Sequence, residues 1–166
     1  MLIRGERADD RRAIREVIAA AFSDHPFSNQ KEGDLVDALR EAGALSLSLV
    51  AEDEDAGVIG HLAISPVVIA RSRAWYGLGP VAVMPIRQRR GVGRTLIEAG
   101  LAGLRAIGAA GCVVLGEPEY YRRFGFERRP ELRFEEAPPE FFMALPFGPD
   151  IPEGKVDYHP AFALVG

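Results

Sequence analysis

The sequence predicts one α/β domain, residues 1–166, whose central sheet carries helices on both faces. Several short segments are apolar throughout or alternate between apolar and polar residues, as strands do. Between them lie segments whose apolar residues recur at the spacing of one helix face. With 166 residues, of which 48% are hydrophobic, the chain has the size and composition of a single domain with a buried core.

The first third of the chain predicts one strand followed by two helices. The segment "LIRGER" is typical of a short strand, and Asp9 or Asp10 can cap the helix that follows. The core face of this helix consists of Ile14, Val17, Ile18, Ala21 and Phe22. The segment "SDHPFSN" breaks the helical pattern. A second short helix ends near Gly43 and has a core face of Leu35, Val36 and Leu39.

The middle of the chain predicts three strands and a longer helix. The strands are "LSLSLVA", "VIGHLAISPVVI" and "WYGLGPVAVM". Pro66 interrupts the second of them, which indicates an edge, a bulge or a bend at that place. The helix has a core face of Ile97, Leu101 and Leu104. Gly100 and Gly103 weaken this helix but let its backbone lie close to the sheet.

The last third of the chain predicts a buried strand, a short helix and two further strands. The buried strand is "CVVL". The short helix, "PEYYRRFG", has Pro118 in its first turn and ends at Gly125. The further strands are "FERR" and "FFMALPF". The tail, "GPDIPEGKVDYHPAFALVG", is loop-like with strand fragments.

Composition and charge exclude several classes of function. Lys and Arg number 20 and Asp and Glu 24, so the net charge is −4, and a nucleic-acid partner is not expected. Cys112 is the single cysteine, which excludes an internal disulfide and a cysteine-rich zinc site, and no metal is expected. The charged N-terminus is not a signal peptide, and no apolar run is long enough to span a membrane. A cytoplasmic protein without a membrane partner is therefore expected.

A glycine-containing turn within "VAVMPIRQRRGVGRTLIEAG" is the main functional signal. It fits a Rossmann turn poorly, because Leu96 stands where the third glycine belongs. It also fits a P-loop poorly, because Gln88 replaces the first glycine and Arg94 the lysine. The pattern Q/R-x-x-G-x-G/A is matched at every defined position by Gln88, Gly91 and Gly93. A tight turn with a solvated basic rim is the structural alternative.

This turn has the chemistry of a pyrophosphate site. The N-terminus of a helix leaves backbone N–H groups free and carries positive partial charge. Glycines keep side chains away from those groups, so that a phosphate can approach them. Four arginines add positive charge around the same place: Arg87, Arg89, Arg90 and Arg94.

The turn is followed by a helix, a strand and then "YYRRFGF", and this combination resembles the GNAT superfamily of acetyl-CoA-dependent N-acetyltransferases. The resemblance extends from "LIRGERADD" to "FFMALPF" and is similar to short single-domain bacterial members. It implies a mixed, mostly antiparallel sheet in which two parallel neighbours splay apart to admit acetyl-CoA, the co-substrate. Here those strands would be residues 75–84 and 112–115, with a bulge near residues 77–80 opening the gap.

The resemblance also implies a set of cofactor-binding residues. The strand backbone at residues 81–83 would pair with the pantetheine arm like an added strand, and an N–H near Val81 or Val83 would polarise the thioester carbonyl. The amides of residues 89–94 would hold the pyrophosphate. The full set is Val81, Ala82, Val83, Gln88, Arg89, Arg90, Gly91, Val92, Gly93, Arg94 and Thr95.

For catalysis, the resemblance implies direct attack of a neutral amine on the thioester. Tyr121, four residues before Gly125, is at the position of the acid that protonates the departing thiolate, with Tyr120 as the fallback. A phenol titrates near pH 10 and a thiol near about 8.5, so a tyrosine has a proton to give. The alternative role for either ring is packing under the cofactor.

The general base is open, because the strand "AWYGLGPVAV" has no acidic residue where many members carry a glutamate. Glu117, acting through water, is the predicted base, and Glu119 is a weaker candidate. His61 and His25 are further candidates, although a strand histidine often has a structural role and a loop histidine is often solvated. No protein base is needed if the bound amine is already partly neutral.

The acceptor is predicted only as a primary amine of a small molecule or peptide, and a homodimer is left open. Seven acidic residues between residues 131 and 157 predict a solvated acidic face, with attraction of cationic amines as the alternative. Two other functions compete with the enzyme. One is a non-catalytic acyl-CoA sensor, and the other is a nucleotide-binding regulatory domain.

Overall fold

The computed structural model describes residues 1–165. Eight strands are Leu2–Gly5 (β1), Leu47–Asp53 (β2), Gly57–Ile69 (β3), Ser72–Val83 (β4), Gly111–Leu115 (β5), Leu132–Arg133 (β6), Phe142–Pro146 (β7) and Gly154–Tyr158 (β8). Four α-helices are Arg11–Phe22 (α1), Glu32–Glu41 (α2), Val92–Ala106 (α3) and Pro118–Tyr121 (α4). None of the helices in this described range has the length and apolar character needed to cross a membrane.

The strands form one mixed sheet in the order β1-β2-β3-β4-β5-β7. Every neighbouring pair in this order is antiparallel except β4 and β5, which are parallel. The short strand β8 pairs with the C-terminal end of β3, and β6 pairs with β8. The predicted mixed, mostly antiparallel sheet is therefore confirmed.

Alternation along the strands gives each face of the sheet its own layer of helices. Leu62 and Ile64 of β3 and Leu78 of β4 pack against α3, whose buried positions include Leu96, Ile97, Leu101 and Leu104. Val50, Ala63 and Ala82 point to the opposite face and pack against α1 and α2. The prediction of helices on both faces is confirmed, and so are the core faces predicted for α1, α2 and α3.

The β5 end of the second face is covered by strands rather than by helices. Trp75, Val113 and Phe142 form a cluster there with Leu132 of β6 and Val156 of β8. The predicted strand fragments of the tail are thus confirmed as β8, which closes this part of the core. Trp75 is almost completely buried, and its indole lies directly over Gly111 of β5.

Two local predictions are wrong. The segment "FERR" is not a strand, because within it only Glu127 forms a bridge, with Ala144 of β7. Asp10 precedes α1 but does not cap it with its side chain. Its carboxylate instead accepts hydrogen bonds from the Arg7 backbone N–H at 2.6 Å and from the Arg4 guanidinium at 2.7 Å. The ion pair with Arg4 on β1 outcompetes the free amides of the helix.

Substitution of Gly111 should destabilise the fold. A Cβ at this position would overlap the Trp75 indole, which is buried and has no room to move. Overpacking of this kind costs about 1–3 kcal/mol, so Gly111→Ala should lower the free energy of unfolding by that amount in chemical denaturation. Gly5→Ala is the matched control, because a Cβ on Gly5 would meet nothing within 4 Å. Equal stability of the two variants would contradict the close contact with Trp75.

Candidate cofactor and active site

The parallel pairing of β4 and β5 stops in the middle of β4. The last paired residues are Leu78 and Val114, and β4 continues to Val83 without a partner on that edge. On its other edge β4 stays paired with β3 as far as Val83. The two parallel strands therefore diverge and leave a gap, as predicted.

A bulge in β4 accompanies the divergence. Leu78 pairs with Ile64 of β3 and Val81 pairs with Leu62, so Gly79 and Pro80 stand opposite the single residue Ala63. A bulge bends the strand that carries the extra residue. The predicted bulge near residues 77–80 is confirmed, and it lies where β4 leaves β5.

The hydrogen-bond ladder decides which amides of β4 face the gap. The N–H of Met84 donates to the carbonyl of Ile59 at 2.9 Å, next to the pair of Val83 with Gly60. In an antiparallel ladder, consecutive residues direct their backbone groups to opposite edges. Ala82 therefore bonds to β3, while Val81 and Val83 turn their backbone groups to the gap. Ala82 contributes to the site through its place in the strand rather than through its own amide.

Gln88 connects the glycine turn to this exposed strand edge. Its side-chain amide donates to the carbonyl of Val83 at 3.1 Å. This carbonyl faces the gap, so an added strand that used it would displace Gln88. The turn and the edge of β4 are thereby coupled through one side chain.

The turn ends in a helix N-terminus, as predicted. Gly91 is the N-cap of α3 and has a φ of 84°, a left-handed conformation that favours glycine. The first amide bonded inside the helix is that of Thr95, which donates to the Gly91 carbonyl at 3.0 Å. Helix geometry leaves the amides of Val92, Gly93 and Arg94 without intrahelical partners. The Thr95 hydroxyl also donates to the Gly91 carbonyl, at 2.8 Å, and so stabilises the turn.

The arginines around the turn differ in their surroundings. Arg87 is held by Asp53, with 2.5 Å between the guanidinium and the carboxylate, and Arg94 pairs with Glu98 on the exposed side of α3 at 2.7 Å. Arg89 and Arg90 are exposed at the tip of the turn. The predicted rim of positive charge is present, and Arg87 anchors the turn to the end of β2.

Gly93 lies at the meeting point of the turn, the diverging strand and α4. A Cβ on Gly93 would be 3.3 Å from the Tyr120 hydroxyl and 3.7 Å from Val83 Cγ2. Tyr120 is therefore the tyrosine whose hydroxyl reaches the N-terminus of α3. Its ring is half-buried and carries the Arg123 guanidinium 5.6 Å from its centroid.

Tyr121 points to a different part of the same site. Its ring lies against Gly116, which follows β5, so it borders the end of the strand that diverges from β4. It packs edge-to-face on Phe126 at 5.9 Å and on Tyr120 at 5.1 Å between ring centroids. Burial raises the pKa of the Tyr121 phenol above its ordinary value of 10. The phenol is thus kept neutral, and burial makes it a weaker acid than an exposed tyrosine.

The predicted base, Glu117, lies at the N-cap position of α4 and is exposed. It follows Gly116 directly, so it stands on the rim of the gap beside Tyr121. Glu119 is exposed on α4. His25 is exposed in the segment between α1 and α2, where its ring packs between Phe22 and Phe27.

His61 has a structural position. It is completely buried in β3, opposite Ala82 of β4, on the face of the sheet that carries α1 and α2. The Ser48 hydroxyl donates to Glu6 at 2.6 Å, so it accepts a hydrogen bond from His61 Nε2, at 2.8 Å. Burial lowers the pKa of His61 to about 4. A buried, neutral histidine in such a chain stabilises the fold and is out of reach of a substrate amine.

Sequence reasoning missed a group of arginines that the fold brings to one cavity. Arg128, Arg129 and Arg133 line a cavity of about 360 Å³ together with Phe134 and Phe142. The three arginines occur in a loop and a two-residue strand, where no period indicates a shared face. A second cavity, of about 480 Å³, lies between α1 and α2 and is remote from the glycine turn.

The acidic segment is solvated. Its seven acidic residues are all exposed: Glu131, Glu135, Glu136, Glu140, Asp150, Glu153 and Asp157. Only Glu135 lines the cavity described above. The exposure of these side chains fits the prediction of a solvated acidic face.

The chain matches known acetyltransferases. Residues 45–128 match a family model described as an acetyltransferase (GNAT) domain. The protein YhbS of Escherichia coli K12, named an uncharacterized N-acetyltransferase, is 41% identical over 128 residues, which cover 76% of this chain and 74% of YhbS.

Two solved structures resemble the whole chain. A GNAT family acetyltransferase from Brucella melitensis, in complex with acetyl-CoA, is 54% identical with a TM-score of 0.86, and the match covers 97% of each chain. YhbS from Escherichia coli, in complex with CoA, is 34% identical with a TM-score of 0.89, and the match covers 98% of this chain and 91% of YhbS.

The buried state of His61 predicts a pH dependence of stability. The unfolded chain binds a proton at His61 near pH 6.5, whereas the folded chain binds it only near about pH 4. The contribution of His61 to stability is therefore complete above pH 6.5, and the free energy of unfolding falls by about 3 kcal/mol for this group between pH 6.5 and 4. Denaturation at several pH values gives the free energy of unfolding as a function of pH, and its decrease toward pH 4 should be smaller for His61→Gln than for the parent. An unchanged slope would contradict the burial of a neutral histidine.

Proposed function

Because the chain belongs to the GNAT family of acetyltransferases, we propose that it transfers an acetyl group from acetyl-CoA to the primary amine of an acceptor by direct attack on the thioester. Residues 1–166 would form a single N-acetyltransferase domain. One observation carries the proposal: β4 and β5 diverge beside a glycine turn that opens a helix. The acetyl-CoA and CoA complexes of the two similar proteins support the choice of cofactor.

The cofactor would lie along the edge of β4 that faces the gap. The backbone groups of Val81 and Val83 would pair with the pantetheine amides as an additional strand does. The pyrophosphate would accept hydrogen bonds from the free amides of Val92, Gly93 and Arg94. The exposed guanidiniums of Arg89 and Arg90 would add charge at the tip of the turn. Thr95 would hold the turn in the conformation that presents those amides, while Gln88 would leave the Val83 carbonyl to the cofactor and could itself contact it.

The reaction requires the site to stabilise an oxyanion, to protonate the departing thiolate and to accept a proton from the amine. The neutral amine forms a bond to the thioester carbonyl carbon, and the developing oxyanion is stabilised by an N–H of β4, from Val81 or Val83. The bond from carbon to sulfur then breaks, and the thiolate takes the proton of the Tyr121 phenol. The attacking nitrogen loses its own proton to water held by Glu117, or directly to solvent. CoA and an acetamide are the products, and the Tyr121 phenolate regains a proton from solvent.

The alternative is a protein that binds acetyl-CoA and does not turn it over. The position of Tyr121 beside the end of β5 favours the enzyme, because a hydroxyl there has a role in protonating the thiolate and none in holding the cofactor alone. Release of free thiol from acetyl-CoA in the presence of an amine library tests the enzyme directly. A ranking of acetyl-CoA, CoA, ATP and NAD by thermal shift tests the nucleotide-binding alternative, since a ligand that binds only the folded state raises the melting temperature.

Gly93→Val should weaken acetyl-CoA binding. The branched side chain would lie against the path of the pyrophosphate to the amides of α3. Loss of charge-assisted hydrogen bonds is worth about 1.5–3 kcal/mol, so the dissociation constant should rise at least about tenfold. Titration calorimetry with acetyl-CoA measures this, with circular dichroism as the check that the variant is folded.

The control addresses Tyr120, whose hydroxyl lies 3.3 Å from the new Cβ. The double variant Gly93→Val with Tyr120→Phe removes that contact and keeps the blocked turn. Its affinity should stay low. Recovery of parental affinity in the double variant would show that the effect arises from Tyr120 and not from the pyrophosphate.

Tyr121→Phe should lower kcat and leave acetyl-CoA binding unchanged. The variant keeps the ring and its packing on Gly116 and Phe126 and removes only the proton. General acid catalysis contributes about 100- to 10,000-fold, so kcat should fall about 100-fold where chemistry limits the rate. Steady-state kinetics beside the acetyl-CoA dissociation constant separates the two effects.

Tyr120→Phe is the matched control for this experiment. Its hydroxyl reaches the N-terminus of α3 and not the end of β5, so its removal should be milder for kcat. If Tyr120→Phe loses kcat while Tyr121→Phe retains it, the acid is Tyr120. If both variants retain full kcat, neither phenol protonates the thiolate.

A further inference from the structure

The cavity lined by arginines lies at the carboxyl end of β5, where the gap opens. Phe142, which lines it, pairs with Leu115, the last residue of β5. Phe142 and Leu132 belong to the cluster around Val113, on the face of the sheet opposite α3. The cavity is therefore near the gap but on the other side of the sheet from the glycine turn and α4.

This placement matters for how an acceptor reaches the thioester. The proposed cofactor site occupies the α3 face, with the turn, Gly93 and both tyrosines of α4. An amine that attacks the thioester directly must come from the side that the cofactor leaves open. The cavity is on that side, so the remainder of the acceptor can extend into it.

The cavity has an excess of positive charge. Within residues 1–165, neither Arg128 nor Arg133 has a carboxylate within 4.0 Å, and Arg129 has only Glu127, at 3.6 Å. The Nε of Arg129 is buried and makes no hydrogen bond with the described residues. Glu135 is the single carboxylate among the lining residues of this part of the chain. The protein as a whole has a net charge of −4, so this excess runs against its overall charge.

Two half-buried arginines elsewhere in the chain each lie close to two carboxylates, although the Nε of Arg4 makes no hydrogen bond with the described residues. Arg4 lies 2.7 Å from Asp10 and 3.0 Å from Glu52. Arg40 lies 2.7 Å from both Glu6 and Asp37. Arg128 and Arg133 differ from these two, because neither has a carboxylate partner among the described residues, and Arg129 has one at 3.6 Å. The planar, forked donors of Arg128 and Arg133 are therefore available to a ligand.

Two aromatic side chains, Phe134 and Phe142, also line the cavity and form what we call its aromatic floor. Phe134 and Phe142 stack with 5.4 Å between ring centroids and an interplanar angle of 29°, and Phe134 also contacts Tyr158. The floor suits an apolar or planar portion of a ligand, while the arginines suit an oxyanion.

We propose that this cavity binds an oxyanion, a carboxylate or a phosphate, carried by the acceptor, so that the substrate class is amines that also bear a negative charge. The proposal rests on the proposed function, because it concerns the part of the same acceptor that lies away from the reacting amine. It opposes the alternative in which the acidic segment attracts cationic amines, since six of the seven acidic residues do not line the cavity.

Pairs of amines that differ only in the anion provide the test. One pair is para-aminomethylbenzoate and benzylamine, whose amines share the same benzylic carbon and whose ring matches the aromatic floor. The other pair is O-phosphoethanolamine and ethanolamine, which separates phosphate from carboxylate. For each amine, kcat/KM is measured by release of CoA thiol, and the dissociation constant is measured with the CoA-loaded protein.

The anionic member of at least one pair should be favoured about tenfold or more, which is the size of one charge-assisted hydrogen bond. The preference should shrink as salt concentration rises. Arg129→Gln and Arg133→Gln should each reduce it about tenfold and leave the neutral amine unaffected. Arg71→Gln, an exposed arginine in the turn between β3 and β4, is the matched control and should keep the preference.

The outcomes separate this proposal from the proposed function. If acetyl-CoA stabilises the protein but neither anionic amine is preferred in binding or turnover, the anion site is wrong and the acetyltransferase assignment stands. The anion site is equally wrong if Arg129→Gln weakens anionic and neutral amines alike. If acetyl-CoA does not stabilise the protein at all, the proposed function itself fails.

Discussion

The site depends on a strand that is hydrogen-bonded along only one edge. β3 holds β4 in place as far as Val83, while pairing with β5 ends at Leu78. An unpaired strand edge buried in a sheet exposes backbone donors and acceptors that need partners. The bulge at Gly79 and Pro80 lies where the pairing with β5 ends, and it bends β4 at that point. The groups that β4 offers at the gap therefore belong to the backbone, while Leu78 and Ala82 of β4 pack against the helices.

Different side chains lie on the two faces of the sheet beside this divergence. On one face, the N-terminus of α3 and the rings of α4 meet around Gly93, where phosphate and leaving thiolate would be handled. On the other face, β6 and β8 close the core and place arginines near the end of β5. Pairing of β4 with β5 ends between these two regions, so under the proposed function the cofactor would approach from one face and the acceptor from the other.

Local sequence patterns predicted the elements well wherever a single short-range interaction decides the structure. Gly91 adopts a left-handed φ at the start of α3, and Pro80 cannot donate a hydrogen bond to a ladder. The structural role of each residue could therefore be predicted without knowledge of its tertiary contacts. The prediction that the Asp10 side chain caps α1 was wrong because Arg4, six residues earlier, binds its carboxylate. The segment "FERR" failed because β7 pairs mainly with β5, leaving it one bridge. The arginine cavity was missed because only tertiary structure unites its lining residues.

The positive cavity bears on the missing base. No acidic side chain lies on the stretch of β4 beside the gap, and Glu117 is exposed on its rim. The arginines cannot supply that base, because a guanidinium stays protonated and only donates hydrogen bonds. An acceptor with its own anion would bind with the anion at the arginines and with its amine at the gap. The amine would then lose its proton to water at the rim where Glu117 lies, so the cavity would select the acceptor without taking part in the proton transfer.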